Sequence, residues 1–324
     1  MSIRTCICFG ILLTAFMVLP AVAFAADSRV EFRQDDAEGR LQILVDGREA
    51  LVYQYADDLD MAHFYPVRSP GGKSMTVQHP NPYPHHRSFW FADKVRFEGE
   101  RPVEFYAALY SGPNGNKNPR PPFKDHIRHV TFIESPATKD RTEITMKLVW
   151  EMDGTKPVLD ELRRVCVVAL GEGEYFLDIG FTLTASHGAV TFVSDAVHYA
   201  WPYVRINPTF SVEGGGRITN SEGGVNQQGT HNQVARWVDY SNTVDGETAG
   251  LAIFSHPDNA QPHRWLTRDY GTFGPRRVDA RSGKPFTVAK GESIAQRVGI
   301  LVHRGDVEGG AVAERYRQYV AGKL

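Results

Sequence analysis

Apolar and polar residues alternate with a period of two along much of the chain, as in half-buried β-strands. The alternation is clearest over residues 144–150 and 175–183. Over residues 41–55 the apolar positions lie on both sides of Asp46-Gly47, a dipeptide that suits a tight hairpin turn because both positions tolerate positive φ. The pattern therefore predicts antiparallel strands joined by tight turns.

Other short apolar segments extend the same pattern. Further strands are predicted over residues 130–134, 164–170, 191–193, 236–240, 250–254 and 296–303. Helical spacing is found near the end of the chain, at Val312, Tyr316, Tyr319 and Val320, and predicts one amphipathic helix. We therefore expect an all-β fold, an antiparallel β-sandwich of two large sheets with long loops and one C-terminal helix, in a single domain over residues 26–324.

The N-terminus has the pattern of a secretory signal peptide. A basic Arg4 precedes an apolar run over residues 6–22, and Ala-x-Ala ends at Ala25. The run is short for a membrane span, so we expect cleavage near Ala25 and an exported protein, periplasmic or extracellular, without a membrane span. Cleavage would leave Cys166 as the lone cysteine, so no intramolecular disulfide is predicted.

Composition and charge exclude several function classes. The chain has 324 residues, of which 23% are charged, and a formal net charge of −2. This near balance argues against nucleic-acid binding, which usually requires a basic face. The glycines at 214–216 do not open the helix of a βαβ unit, and no Gly-x-Ser-x-Gly motif occurs. Neither a nucleotide site nor a serine hydrolase is therefore predicted.

The segment over residues 83–93 has the composition of a functional site. It follows a proline-rich loop and contains His85, His86, Arg87, Trp90 and Asp93. Histidine titrates near neutral pH and is the commonest metal ligand, so acid/base, metal and anion-binding roles are all open. On an extended strand, adjacent side chains point to opposite faces, so only one of the two histidines would enter a pocket.

Other loops supply further candidates. Glu222 lies on a glycine-flanked turn and is the candidate second carboxylate, while Arg87 and Arg268 are candidate clamps for a carboxylate, with a structural ion pair as the alternative. Trp265 and Tyr270 lie in a polar loop and are the candidate stacking platform for a sugar ring. We expect Glu222 to act with His85 and His86 in catalysis. The arginines and aromatic residues, together with Trp90 and Asp93, are expected to bind substrate.

Histidine is also frequent in the loops. All 12 histidines follow the predicted signal peptide, and His126 and His256 are further candidates for substrate binding. None has a zinc-binding spacing such as His-Glu-x-x-His, and the lone Cys166 has the pattern of a buried strand residue. We therefore expect no metal or other cofactor, with a His-ligated divalent metal as the alternative.

Several motifs together resemble the bacterial PmoA-like family. They are, in chain order, Pro-His-His-Arg-Ser-Phe-Trp-Phe-Ala at 84–92, Asn-Ser-Glu-Gly at 220–223, Arg-Trp-Val-Asp-Tyr at 236–240, Ala-Gly-Leu-Ala-Ile-Phe at 249–254, His-Pro at 256–257 and Arg-Asp-Tyr-Gly-Thr-Phe at 268–273. The resemblance implies a β-rich bacterial protein found near sugar-degrading genes. It does not imply methane oxidation, because the subunit behind the family name is membrane-embedded and the mature chain has no apolar run of that length.

These observations lead to one main hypothesis and two alternatives. The main hypothesis is a secreted carbohydrate-active enzyme, a hydrolase, lyase or epimerase, that uses histidine and carboxylate acid/base chemistry on a sugar or oligosaccharide. A non-catalytic sandwich that binds a glycan or a protein is the first alternative, and a His-ligated metalloenzyme is the second. The enzyme hypothesis predicts that His85 or His86, Arg87, Glu222 and Arg268 line one pocket.

Overall fold

The computed structural model describes residues 29–134, 138–193, 199–259, 263–277 and 284–324. The predicted signal peptide, residues 1–25, lies outside these ranges. The described strands form three sheets, and neighbouring strands in each sheet pair antiparallel. The predicted all-β antiparallel sandwich with a C-terminal helix is confirmed.

Two of the sheets have eight strands each. Sheet A contains, in spatial order, β1 (Val30–Asp35), β2 (Arg40–Val45), β3 (Arg48–Gln54), β4 (His63–Val67), β5 (Phe89–Trp90), β13 (Tyr203–Arg205), β18 (Thr272–Pro275) and β17 (Trp265–Thr267). Sheet B contains β14 (Arg217–Asn220), β15 (Trp237–Val244), β16 (Glu247–Ser255), β20 (Ser293–Arg304), β11 (Glu174–Thr184), β10 (Lys156–Gly171), β9 (Arg141–Met152) and β8 (His126–Glu134).

The structure has a third, four-stranded sheet in addition to the two predicted large sheets. Sheet C contains β19 (Phe286–Val288), β12 (Val190–Phe192), β6 (Lys94–Phe97) and β7 (Pro102–Glu104). Its strands have three or four residues, too few for periodicity to identify a sheet. The helices are α1 (Asn226–Thr230) and α2 (Val312–Val320), and 3₁₀-helices cover Phe105–Ser111, Gly115–Lys117 and Pro208–Phe210.

Sheets A and B pack their inner faces into one core. Leu41 and Ile43 of β2 and Leu177 and Ile179 of β11 are each at most 1% exposed and belong to the same cluster of buried side chains. The predicted hairpin is confirmed, because Asp46 and Gly47 join β2 to β3 with φ of 51° and 73°. Positive φ at both positions matches the twist of the two strands.

Helix α2 covers the outer face of sheet B. Tyr319 is buried against Phe176 of β11, with ring centroids 5.1 Å apart, and against Phe254 of β16. Val312 is also buried, but Val320 is 40% exposed, so its predicted place on the buried face of the helix is wrong. No helix in the described ranges is long and apolar enough to cross a membrane.

Candidate functional site

The loop over residues 79–88 brings both histidines of the 83–93 segment to the same place. The His79 amide donates to the His86 carbonyl at 2.9 Å, and the His86 amide donates to the Tyr83 carbonyl at 3.0 Å. Residues 84 and 85 therefore form a turn rather than a strand. The expectation that adjacent side chains diverge is wrong here, because the rings of His85 and His86 meet edge to face with centroids 4.7 Å apart.

His86 is the buried member of the pair. Its ring is 3% exposed, stacks on Tyr83 with centroids 5.0 Å apart, and places Nε2 2.8 Å from the Tyr106 hydroxyl. Its Nδ1 lies 3.5 Å from Oγ1 of Thr272. Burial, followed by the nearby His85, Arg205 and Arg87, lowers the pKa of His86 to about 2. The imidazole is therefore neutral at physiological pH.

His85 is the half-buried member. Its Nδ1 lies 3.2 Å from the Tyr110 hydroxyl, and its ring meets Tyr106 edge-on with centroids 5.2 Å apart. Burial and the charge of Arg87 lower the pKa of His85 to about 4. His85 is thus a neutral proton acceptor that still reaches solvent, whereas His86 lies behind it.

Tyr270 lines an open cleft. It is half-buried and stacks on Tyr83 with centroids 5.3 Å apart. The cleft has a volume of about 540 Å³ and is lined by Glu213, Gln227, Gln228, His231, Asp269 and Tyr270. We call His85, His86, Tyr83, Tyr106, Tyr110 and Tyr270 the histidine–tyrosine cluster. An aromatic face beside amide and carboxylate groups suits a sugar ring.

Arg87 does not line this cleft. It is 1% exposed, its Nε donates to Oδ1 of Asp60 at 3.0 Å, and its Nη1 donates to the Pro84 carbonyl at 3.2 Å. Nη1 also lies 2.9 Å from Nδ1 of His79. Its predicted role as a clamp on the ligand is wrong, because the guanidinium is enclosed by its own loop and its ion pair with Asp60.

Trp90 and Asp93 are also enclosed by the protein rather than open to a ligand. Trp90 is 1% exposed and stacks on Tyr203 with centroids 5.0 Å apart. Asp93 is fully buried and accepts a hydrogen bond from the indole of Trp201 at 2.7 Å. Both were predicted to bind substrate. This prediction is wrong, because neither side chain has an accessible face.

Strand β17 contributes one core residue, and the loop that follows it contributes one residue near the cleft. Trp265 is fully buried and donates to the Ala235 carbonyl at 2.8 Å, so its predicted role as a stacking platform is wrong. Arg268 is half-buried, and its Nη1 lies 2.8 Å from Nδ1 of His231, a cleft residue. Arg268 therefore remains a candidate for ligand binding.

Three other predicted site residues form separate pairs. Glu222 is exposed, accepts from the Ser221 hydroxyl at 2.7 Å and lies 3.5 Å from Arg236. His126 lies 2.8 Å from Glu151, and His256 packs on Tyr319 beneath α2. Within the described ranges, no contact joins Glu222, His126 or His256 to the histidine–tyrosine cluster. The predicted common pocket therefore lacks its second carboxylate.

Three residues in or beside the cluster were not predicted from the sequence: Tyr106, Tyr110 and Arg205. The two tyrosines lie four residues apart in the 3₁₀-helix Phe105–Ser111, and this spacing places both hydroxyls beside the histidines. Arg205 ends β13, and its guanidinium carbon lies 4.6 Å from the centre of the Tyr270 ring. The sequence does contain one signal for Arg205, because an arginine there directly follows two apolar residues of a buried strand.

The described part of the chain contains no group of three or more His, Cys, Asp or Glu side chains placed to hold a metal ion. His85 and His86 each have a tyrosine hydroxyl, rather than a carboxylate or another imidazole, as the hydrogen-bonding neighbour of one ring nitrogen. The expectation of no metal stays a prediction.

The solved structures that are similar to this chain belong to larger proteins. The GH36 alpha-galactosidase AgaB from Geobacillus stearothermophilus matches with a TM-score of 0.45 and 10% identity, over 87% of this chain and 42% of that one. The alpha-galactosidase from Lactobacillus brevis gives 0.46 and 7%, over 89% and 41%. A polysaccharide lyase gives 0.36 and 12%, over 83% and 33%. The chain thus spans less than half the length of each.

Sequence comparison gives a family without an assigned activity. No curated protein matches the sequence. The resemblance to the PmoA-like family is not tested by these matches and stays a prediction. The model of a family of unknown function, DUF6807, matches residues 40–317, and the chain therefore belongs to that family.

Proposed function

We propose that this protein is a carbohydrate-active enzyme in which His85 and His86, with their tyrosine partners, move a proton on a bound sugar. The observation that carries the proposal is the histidine–tyrosine cluster. Two neutral imidazoles are each within hydrogen-bond distance of a tyrosine hydroxyl, and Tyr270 of the same cluster lines an open cleft. Acid and base groups of this kind, once positioned, accelerate proton transfer by about 10²–10⁴-fold.

His85 is the proposed base. When its Nδ1–H donates to the Tyr110 oxygen, Nε2 is left as the proton acceptor. Its lowered pKa keeps the ring neutral and able to accept a proton at pH 7. The half-buried position gives a ligand access to this ring, which the more deeply buried His86 lacks.

His86 is the proposed centre of a proton relay. Its two ring nitrogens face Tyr106 and Thr272, and the Thr272 side chain also hydrogen-bonds the Tyr270 hydroxyl. Burial raises the pKa values of Tyr106 and Tyr270, so both phenols stay protonated and each carries a proton for the relay. The chain from Tyr106 to Tyr270 can therefore return a proton to a leaving oxygen.

This arrangement favours a lyase or an epimerase over a hydrolase. In a β-elimination the base removes a proton from carbon, the electron pair forms a C=C bond, the C–O bond to the leaving sugar breaks, and a phenol protonates the leaving oxygen. An epimerase uses the same proton removal and returns the proton to the other face. Hydrolysis usually requires two carboxyl groups across the scissile bond, and the cluster contains none.

A binding protein without catalysis is the second candidate. The half-buried Tyr83 and Tyr270 would serve equally well to hold a sugar ring in the cleft. For either function we propose export, because the sequence begins with the pattern of a signal peptide.

Purified protein incubated with an oligosaccharide panel that includes uronates, with products weighed by mass spectrometry, tests the proposal. Elimination yields an unsaturated fragment without added water, whereas hydrolysis adds one water. We expect His85→Gln and His86→Gln to abolish product formation while His256→Gln, a buried histidine outside the cluster, retains it. Turnover that persists in both cluster variants contradicts the proposal, and binding without any product supports the second candidate.

A further inference from the structure

Three buried arginines of the described residues lie next to carboxylates. Three pairs show this: Arg87 with Asp60 at 3.0 Å, Arg163 with Glu161 at 2.8 Å and Arg277 with Asp93 at 3.5 Å. The arginine in each pair is 1% exposed. Such pairing is expected, because a charge removed from water is strongly destabilising unless an opposite charge lies beside it.

Arg205 departs from this pattern. It is 4% exposed, its Nη1 donates to the Tyr270 carbonyl, and its guanidinium lies over the Tyr270 ring. Its Nε is buried and has no hydrogen-bond partner among the described residues. Within the same ranges no carboxylate forms an ion pair with it. Burial lowers the pKa of Arg205. The charge of Glu213, an exposed residue of the cleft, opposes this shift only in part, so the pKa stays lowered.

The position of Arg205 connects this unpaired charge to the proposed chemistry. Tyr270, which lies against the guanidinium, also lines the cleft. The charge of Arg205 is close enough to His86 to contribute to the lowering of its pKa. An anion that reached Arg205 would therefore lie beside the proton relay.

We infer that Arg205 is the anion-recognition residue of this site and that the substrate is an acidic sugar, a uronate whose carboxylate completes the charge of Arg205. The inference rests on the proposed function and specifies its substrate class. A carboxylate next to the carbon that loses its proton makes that proton removable, provided a cation neutralises the charge that builds up on the carboxylate oxygens. A guanidinium supplies paired donors for this purpose.

Thermal unfolding with matched sugars tests the inference. Glucuronate, galacturonate and mannuronate are compared with glucose, galactose and mannose at equal ionic strength. We expect at least one uronate to raise the Tm of the wild type more than its neutral counterpart, and Arg205→Gln to weaken its binding by about tenfold to hundredfold. The exposed Arg236→Gln removes the same charge elsewhere and is expected to leave binding unchanged.

The unliganded Tm gives an independent readout. An unpaired buried charge destabilises the free protein, so Arg205→Gln is expected to keep or raise the Tm in buffer, whereas an arginine with a purely structural role would lower it on substitution. Equal stabilisation by acidic and neutral sugars would overturn the inference and leave the proposed function standing. No stabilisation by any of the sugars, combined with a lower Tm for Arg205→Gln, would remove support from both.

Discussion

Nε2 of His86 and the hydroxyl of Tyr106 lie 2.8 Å apart, and both side chains are buried. The imidazole comes from an irregular loop, and the phenol comes from a 3₁₀-helix twenty residues later in the sequence. Neither group has solvent available to replace the other, because a lost hydrogen bond in such a place leaves a buried polar atom unpaired. The two side chains therefore act as one unit.

Removing the Tyr106 hydroxyl is expected to impair catalysis more than folding. Tyr106→Phe leaves Nε2 of His86 unpaired, which should lower the free energy of unfolding by about 1–3 kcal/mol. Loss of the relay should lower kcat on the identified sugar by about 10²–10⁴-fold. Urea unfolding and turnover measure the two effects. Tyr316→Phe on α2 is the control, and an unchanged kcat in Tyr106→Phe would exclude the relay.

Breaking the buried ion pair below the histidines should destabilise the protein strongly. Asp60→Asn leaves the Arg87 charge unpaired, and we expect the free energy of unfolding to fall by about 3–5 kcal/mol. The double variant Arg87→Met with Asp60→Leu removes both charges and should recover much of that loss. Glu31→Gln, which breaks the exposed pair with Arg33, should change stability by less than about 1 kcal/mol. Denaturant titration separates the cases, and a loss below 1 kcal/mol for Asp60→Asn would contradict the argument.

Two strand glycines of sheet B should respond differently to alanine. A Cβ at Gly250 would lie 2.3 Å from the ring of His303, which is fully buried and hydrogen-bonds Asp239 at 2.8 Å. Gly250→Ala should therefore cost about 1–3 kcal/mol of stability. A Cβ at Gly180 meets nothing within 4 Å, so Gly180→Ala should be neutral or slightly stabilising. Equal unfolding free energies for both variants would show that the His303 site can relax.

Stability should fall as the pH drops below about 6.5, the usual pKa of histidine in an unfolded chain. Burial lowers the folded-state pKa values of His63 and His85 to about 4 and of His86 to about 2. Between the unfolded and folded values the unfolded chain binds more protons, so protonation favours unfolding. Urea unfolding at pH 7.5, 6 and 5 measures the slope, which His86→Gln should reduce.

His303 contributes with the opposite sign. Burial alone would lower its pKa, but the adjacent Asp239 carboxylate raises it above the usual value. The charged pair therefore adds stability that is fully present below about 6.5 and is lost as the pH rises through the folded value. If the acid loss of stability is unchanged in His86→Gln, His86 does not contribute to it.

Local patterns predicted the parts of the fold that local forces determine. Asp46-Gly47 identified a hairpin because its backbone requirements are met by those two residues alone. Residues 144–150 of β9 and Val312 with Tyr319 of α2 identified their elements because burial imposes a period on them. A strand of sheet C was predicted at residues 191–193, but the sheet was not, because β12 pairs with β6 and β19, which lie far from it in the sequence.

The site was predictable only in part, for the same reason. His85 and His86 were recognisable as residue types, but their convergence depends on a turn that strand geometry does not describe. Arg87 has the residue type of an anion clamp, but its guanidinium pairs with Asp60, which lies 27 residues away in the sequence. Tyr106 and Arg205 come from other elements, and three-dimensional packing alone brings them to the histidines.

The buried Arg87–Asp60 pair also fixes the base of the loop over residues 79–88, whereas the exposed tip of this loop is free to vary in sequence. Because the loop over residues 79–88 is held from inside, its exposed tip at Asn81 and Pro82 carries little of its stability. Substitutions there can alter what approaches the histidines without moving them. Under the proposed function, this tip is therefore the place where we expect substitutions to change substrate preference while the buried histidine is retained.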